Sequence, residues 1–349
     1  MEFLTDYGLF LFKTATVVVA ILIVMAAAVA NASKQKKEGK GAITVTHLNK
    51  EIDDFRDALR EAVEDDDSLK ATLKAEKKQR KADRKARKQA GSASTRRRVY
   101  VLDFNGDPKA TQVEELRQAI TAVLALARPG QDEVMLRLES PGGMVHAYGL
   151  AASQLHRIRS KQLPLTICVD KVAASGGYMM ACVASRLVAA PFAYIGSIGV
   201  LIQMPNFNRL LKQNNVDFEM VTAGEYKRTL TLFGENTEKG RQKMQEDIQE
   251  VHAHFKSFIH ESRPQLDIDR FATGEVWLGS KALELGLTDA IGTSDEYIVD
   301  ACKEADVYLV AFEKKKKIAD RLGSLLEGAM DNTLLRWLQR SSGRDELIS

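Results

Sequence analysis

The sequence is poor in the residues that most often announce a cofactor or a crosslink. Its three cysteines, Cys168, Cys182 and Cys302, form no CxxC pair and no even set, which argues against a disulfide framework and a structural zinc site. They read as packing residues, in keeping with the burial habits of free cysteine. Six histidines are present, but His252, His254 and His260 share one helical-looking stretch without HExxH spacing, so neither a metal nor another cofactor is expected. Net charge is scarce too: 50 basic and 47 acidic residues leave a formal +3. Any electrostatic message lies in local distribution rather than in the total.

What is present is apolar and charged material in quantity. At 349 residues, 45% hydrophobic and 28% charged, the chain holds enough for one large core or two smaller ones. Residues 14–30, TATVVVAILIVMAAAVA, carry no charge and approach the ~20 residues a membrane-spanning helix needs. Lys13 lies near one end, placed to snorkel toward headgroups. Ala28, Ala30 and Ala32 also suit a cleaved leader, but Glu2 and Asp6 precede the run without a base. Residues 1–32 are therefore expected to be a retained anchor that contacts membrane lipid. Lys34, Lys36, Lys37 and Lys40 follow it, and the positive-inside bias would leave the remainder in the cytoplasm.

Residues 33–95 read as a charged helical or coil spacer that turns from acidic, Glu61 to Asp67, to basic, Lys77 to Lys88. No aromatic residue interrupts KKQRKADRKARKQ to stack on bases, so no nucleic-acid partner is expected. Gly91-Ser92-Ala93-Ser94 marks the boundary of a larger folded domain over 96–315. There, Val99–Phe104, Val134–Leu138 and Leu165–Val169 read as strands, and Thr111–Ala127 and Val145–Arg159 as helices. A helix starting at Ser175 follows, then strands near Leu187 and Val200 and an apolar strand at Phe218–Val221. This alternation implies an α/β fold with a largely parallel sheet. Residues 316–349 carry Leu322, Leu325, Leu326, Ala329, Leu334, Trp337 and Leu338 at helical spacing, an amphipathic C-terminal helix and tail.

Two glycine-rich turns stand out. Ser140-Pro141-Gly142-Gly143 follows a strand, where backbone N–H groups can approach a substrate unobstructed. Ala173-Ala174-Ser175-Gly176-Gly177-Tyr178 follows another and enters a helix. Such a turn exposes the Ser175 hydroxyl beside the Gly176 amide, although a serine N-cap is the plainer reading of that segment. A serine hydroxyl needs a base. No histidine occurs between His156 and His252, while His146, after the first turn, stays open. Lys227 lies in a loop after Phe218–Val221. A solvated lysine amine, with a pKa near ~10.4, is almost wholly protonated at pH 7, so lysine serves as a base only where its surroundings are apolar.

Taken together, SPGG at Ser140–Gly143, SGGY at Ser175–Tyr178, GSIG at Gly196–Gly199 and the Gly224-Glu225-Tyr226-Lys227 turn resemble the signal peptide peptidase A or protease IV family, and within it the SohB-type proteases of bacterial inner membranes. The resemblance covers about residues 99–312. It implies Ser175 as nucleophile, Lys227 as general base, Ser197 as the hydroxyl that orients the lysine, and the amides of Gly143 and Gly176 as the oxyanion hole. It also implies a Clp protease/crotonase-type fold of repeated ββα units, a homo-oligomer, a periplasmic catalytic domain, and signal peptides or misfolded chains as substrates. Longer members are tandem duplications that take serine and lysine from different halves. Here both must come from one repeat, within a subunit or across a subunit boundary. A crotonase-type acyl-CoA enzyme and a non-catalytic membrane scaffold are the competing readings.

Overall fold

In the computed structural model, residues 41–65 and 96–314 are described, with isolated positions at 16, 67, 74, 75, 78, 81, 82 and 85. Ile43–Phe312 form one compact unit. The expected anchor, the basic part of the spacer and the C-terminal helix lie outside the described residues. Among the described residues, no helix is long and apolar enough to cross a membrane.

The main sheet has the order β1-β10-β2-β3-β4-β6-β9. Here β1 is Ala42–His47, β2 Arg98–Asn105, β3 Glu133–Glu139, β4 Leu165–Val169, β6 Arg186–Ala189, β9 Ala290–Ile291 and β10 Asp306–Glu313. From β10 to β9 every pairing is parallel. A smaller sheet joins β5 (Val172–Ala174), β7 (Tyr194–Gly196) and β8 (Val276–Leu278), parallel then antiparallel. The helices are α1 (Leu48–Val63), α2 (Val113–Leu126), α3 (Val145–Ser160), α4 (Gly176–Ala181), α5 (Asn208–Gln213), α6 (Glu238–Ser262), α7 (Ile268–Phe271), α8 (Gly279–Glu284) and α9 (Ser294–Glu304).

Period-two alternation along buried strands sends side chains to two cores. Leu102, Phe104, Leu136, Leu138 and Ile167 face Ile120 of α2, Leu155 of α3 and Met180 of α4. Val99, Val101, Met135 and Cys168 face the other way, onto Ile298 of α9, with Leu48 and Ile52 of α1 at the margin. Each fully buried leucine or isoleucine contributes roughly 1.5–3 kcal/mol. Cys168 and Cys182 are buried, and burial pushes both thiols up to about 12. At the amino end of β3, burial pushes the Asp132 carboxyl up, but hydrogen bonds from Arg128 and Arg98 outweigh it and hold the group well below the usual carboxylate range.

Within the expected spacer, Ala42–His47 forms β1 and Leu48–Val63 forms α1, a helix with no buried residues. Two local expectations change. The strand expected near Val200 lies earlier, at Tyr194–Gly196, and Phe218–Val221 forms no strand. A strand is sustained by a ladder partner and a covered face. Phe218, Met220 and Val221 are exposed, Val221 to 99%.

Candidate active site

The two glycine turns meet because β3 runs on past Glu139 into a bridge with β5. The Ser140 amide donates to Val172 O at 2.8 Å, and the Ala174 amide donates to Ser140 O at 3.0 Å. That pairing lays Pro141-Gly142-Gly143 against the chain entering Ser175. Gly142 has φ +90°, and a Cβ there would lie 2.6 Å from Ala174 O and 2.8 Å from both Gly176 N and Ser175 Cβ. Gly143 is equally tight, since its Cβ would fall 2.2 Å from Pro108 O. Glycine is required at both positions by contact alone.

Ser175 occupies the sharp turn between β5 and α4 with φ 52° and ψ −119°, a conformation that costs on the order of 1–3 kcal/mol in a non-glycine residue. Its amide donates to Gly196 O at 2.8 Å. Its hydroxyl does not cap α4, so the plain N-cap reading fails, and among the described residues the Oγ has no hydrogen-bond partner. The residue is half-buried. The Gly143 and Gly176 amides likewise donate to no group among the described residues, whereas the Gly142 amide is taken by Ser140 Oγ at 3.1 Å. One free hydroxyl thus stands between two turns that each keep a free N–H.

Ser197 follows β7, directly after the Gly196 carbonyl that accepts from Ser175. It is half-buried, has φ 53°, and its amide donates to Glu275 O at 2.6 Å. Lys227 stands apart. It is exposed, its amide donates to Gly224 O at 3.2 Å, and among the described residues its amine has no hydrogen bond or ion pair. His146 is exposed at the start of α3 and is also unpaired among the described residues. A single chain therefore brings Ser140–Gly143, Ser175–Gly176 and Gly196–Ser197 together, and among the described residues no hydrogen bond or ion pair ties the Lys227 amine to them.

Tyr148, without a signature in the sequence, and the hydroxyl of Ser140, named only as part of a turn, also belong to the site. Ser140 and Tyr148 are fully buried and hydrogen-bonded at 2.6 Å beneath the first turn. Their signal is faint: a tyrosine on the buried stripe of α3, one helical turn into a helix that follows SPGG. A separate cavity of about 380 Å³ lies at the carboxyl ends of β2, β3 and β4. Much of its charged lining is already paired, Arg137 with Asp103 at 2.6 and 2.7 Å, Glu139 with Lys171 and Asp170 with Ser294.

Comparison with known proteins places these turns in context. Residues 2–155 match the N-terminal region of peptidase family S49, and residues 157–308 match peptidase family S49 itself. "Probable protease SohB" of Haemophilus influenzae is 53% identical over 244 residues, 70% of this chain and 69% of that protein. "Probable protease SohB" of Buchnera aphidicola from Acyrthosiphon pisum is 51% identical over 243 residues, 70% and 72% of the two chains. "Protease 4" of Haemophilus influenzae is 29% identical over 167 residues, 47% of this chain but 27% of that protein.

Proposed function

The chain belongs to peptidase family S49, and from that premise we propose that it is a membrane-anchored serine endopeptidase working through a Ser175 and Lys227 dyad. Ser175 Oγ attacks the scissile carbonyl, Lys227 takes its proton, and the Gly143 and Gly176 amides receive the developing oxyanion. The lysine then returns the proton to the leaving amine, and water activated by the same lysine hydrolyses the acyl-enzyme. Ser197 orients the lysine amine. The observation that carries this reading is the unengaged Ser175 hydroxyl, held at positive φ against Gly142 with two free amides beside it.

Lys227 needs a dry setting to serve as a base. Its segment is rich in exposed apolar side chains, among them Leu201, Leu210, Met220 and Val221, a surface that fits burial between copies of the chain. On this reading the enzyme is a homo-oligomer, and the dyad closes where the copies meet. The domain is of the Clp protease/crotonase type, residues 14–30 anchor it in the bacterial inner membrane, and its substrates are signal peptides or misfolded chains. Cleavage of a fluorogenic peptide by the full chain tests the dyad: Ser175→Ala and Lys227→Ala should each abolish turnover, and full activity in either would refute it.

A further inference from the structure

Beneath the two turns lies a chain of hydrogen bonds whose direction is set by proton count. The Tyr148 hydroxyl donates to Asp107 O at 2.9 Å. Its only proton is then used, so at the 2.6 Å contact Ser140 Oγ must donate to Tyr148 Oη. Ser140 Oγ in turn accepts from the Gly142 amide at 3.1 Å. The Gly142 N–H is thereby turned inward and held there, leaving the next amide, that of Gly143, as the free donor of this turn.

The same tyrosine supports the second turn. Its ring lies so close to Gly176 that a Cβ there would fall 2.4 Å from Tyr148 Cγ. A Cβ on Gly106 would fall 2.4 Å from both Ser140 Oγ and Tyr148 Oη, so the backbone of Gly106 packs directly against the two hydroxyls. One side chain thus packs directly against Gly176 and reaches the first turn through Ser140 Oγ.

We propose that Tyr148, acting through Ser140, is a positioning residue that sets the two oxyanion-hole amides at the spacing the tetrahedral intermediate requires. This rests on the reading of Ser175 as nucleophile and of Gly143 and Gly176 as oxyanion donors. Tyr148→Phe keeps the ring against Gly176 but leaves Ser140 Oγ–H with no acceptor, so the first turn loses its hold. Loss of an oxyanion donor outright typically costs about 10²–10³ in turnover, and a donor left in place but loosely held should cost about tenfold.

The test uses the full chain, a fluorogenic peptide cleaved by the wild type, and the peptide aldehyde of the same sequence, whose serine adduct carries an oxyanion. In Tyr148→Phe, kcat should fall about tenfold with KM within about twofold, and affinity for the aldehyde should fall in parallel with kcat. Ser140→Ala should give the same split, and the double variant should be no worse than the more damaged single one, because both act in one chain of bonds. Wild-type kcat and aldehyde affinity in Tyr148→Phe would overturn the proposal. So would a loss of thermal stability with an unchanged ratio of aldehyde affinity to KM, which marks a purely structural role. Should Tyr148→Phe not fold, Ser140→Ala decides by the same criteria. Ser175→Ala run alongside separates the two levels: if it still cleaves, the underlying dyad is wrong, and if it is dead while Tyr148→Phe is unimpaired, only the positioning role fails.

Discussion

Around Ser140, Gly142, Tyr148 and Gly176 the chain leaves no free space, and each glycine is bounded by backbone or ring atoms within 3 Å of where a Cβ would stand. Around Lys227 the reverse holds. Gly224 meets nothing nearer than Lys227 Cβ, at 4.0 Å, and Val221 is 99% exposed. Glu225 pairs with Lys239, and the amines of Lys239 and Lys243 each sit 5.8 Å from the Tyr226 ring centre, but these are surface contacts. The side of Ser175, the proposed nucleophile, is built by one chain alone, while the side of Lys227, the proposed base, has the composition of a packed region without the packing. On the proposed dyad, a base needs dryness and a nucleophile rigidity, and a single chain supplies only the second.

That contrast can be broken at several points, from the largest expected loss of cleavage to the smallest. Ser175→Ala and Lys227→Ala should each lower kcat by about 10⁴ or more with thermal unfolding unchanged; peptide hydrolysis and calorimetry check both. Gly176→Ala drives a methyl group into the Tyr148 ring and should cost about 1–3 kcal/mol of stability and about 10² in kcat, measured by denaturant unfolding and by turnover. Gly224→Ala meets no such wall and should cost only about 1 kcal/mol, from its φ of +96°. Equal penalties at Gly176 and Gly224 would erase the distinction between the two regions.

Val221→Asp should leave the stability of the isolated unit within ~0.5 kcal/mol, as for other exposed sites, yet lower activity about tenfold and shift sedimentation toward smaller species. Unchanged mass and turnover would detach the lysine segment from assembly. Asp132→Asn, far from the turns, should hardly touch kcat but should alter stability against pH. Because the folded Asp132 carboxyl is held below its ordinary value by Arg128 and Arg98, its contribution is complete above the unfolded pKa near ~3.9 and is lost as pH falls through the lower folded value. Wild type should therefore lose this stability below about pH 4, and the variant, weakened by about 3 kcal/mol at pH 7, should show a shallower acid transition in urea melts.

Much of the domain was legible residue by residue. Val99–Phe104, Val134–Leu138 and Leu165–Val169 are apolar runs of strand length, and all three lie in the parallel sheet. The stripe Leu116, Ile120, Val123 sits inward on α2. The three-residue strands β5 and β7 are too short to show an alternation that can be told from chance, and Phe218–Val221 shows the converse, an apolar run that forms no strand. Tyr148, and with it the bonding of the Ser140 hydroxyl, escaped for another reason: a polar atom in the core is explained only by its partner, and Asp107 O is 41 positions away from Tyr148.

By itself, then, the sequence determined the strands and helices from Val99 to Val169, the two glycine turns and the serine in the second of them, because these depend on local periodicity, on backbone freedom and on residue type. Only the tertiary structure decided that the turns face each other, that among the described residues the Ser175 hydroxyl is free rather than a cap and the Gly142 amide is engaged while those of Gly143 and Gly176 are not, and that Lys227 stands exposed in a single chain. Each of these depends on which distant backbone atoms come within hydrogen-bonding or contact distance, and that is set by the packing of β3 against β5 and of Tyr148 beneath Gly176.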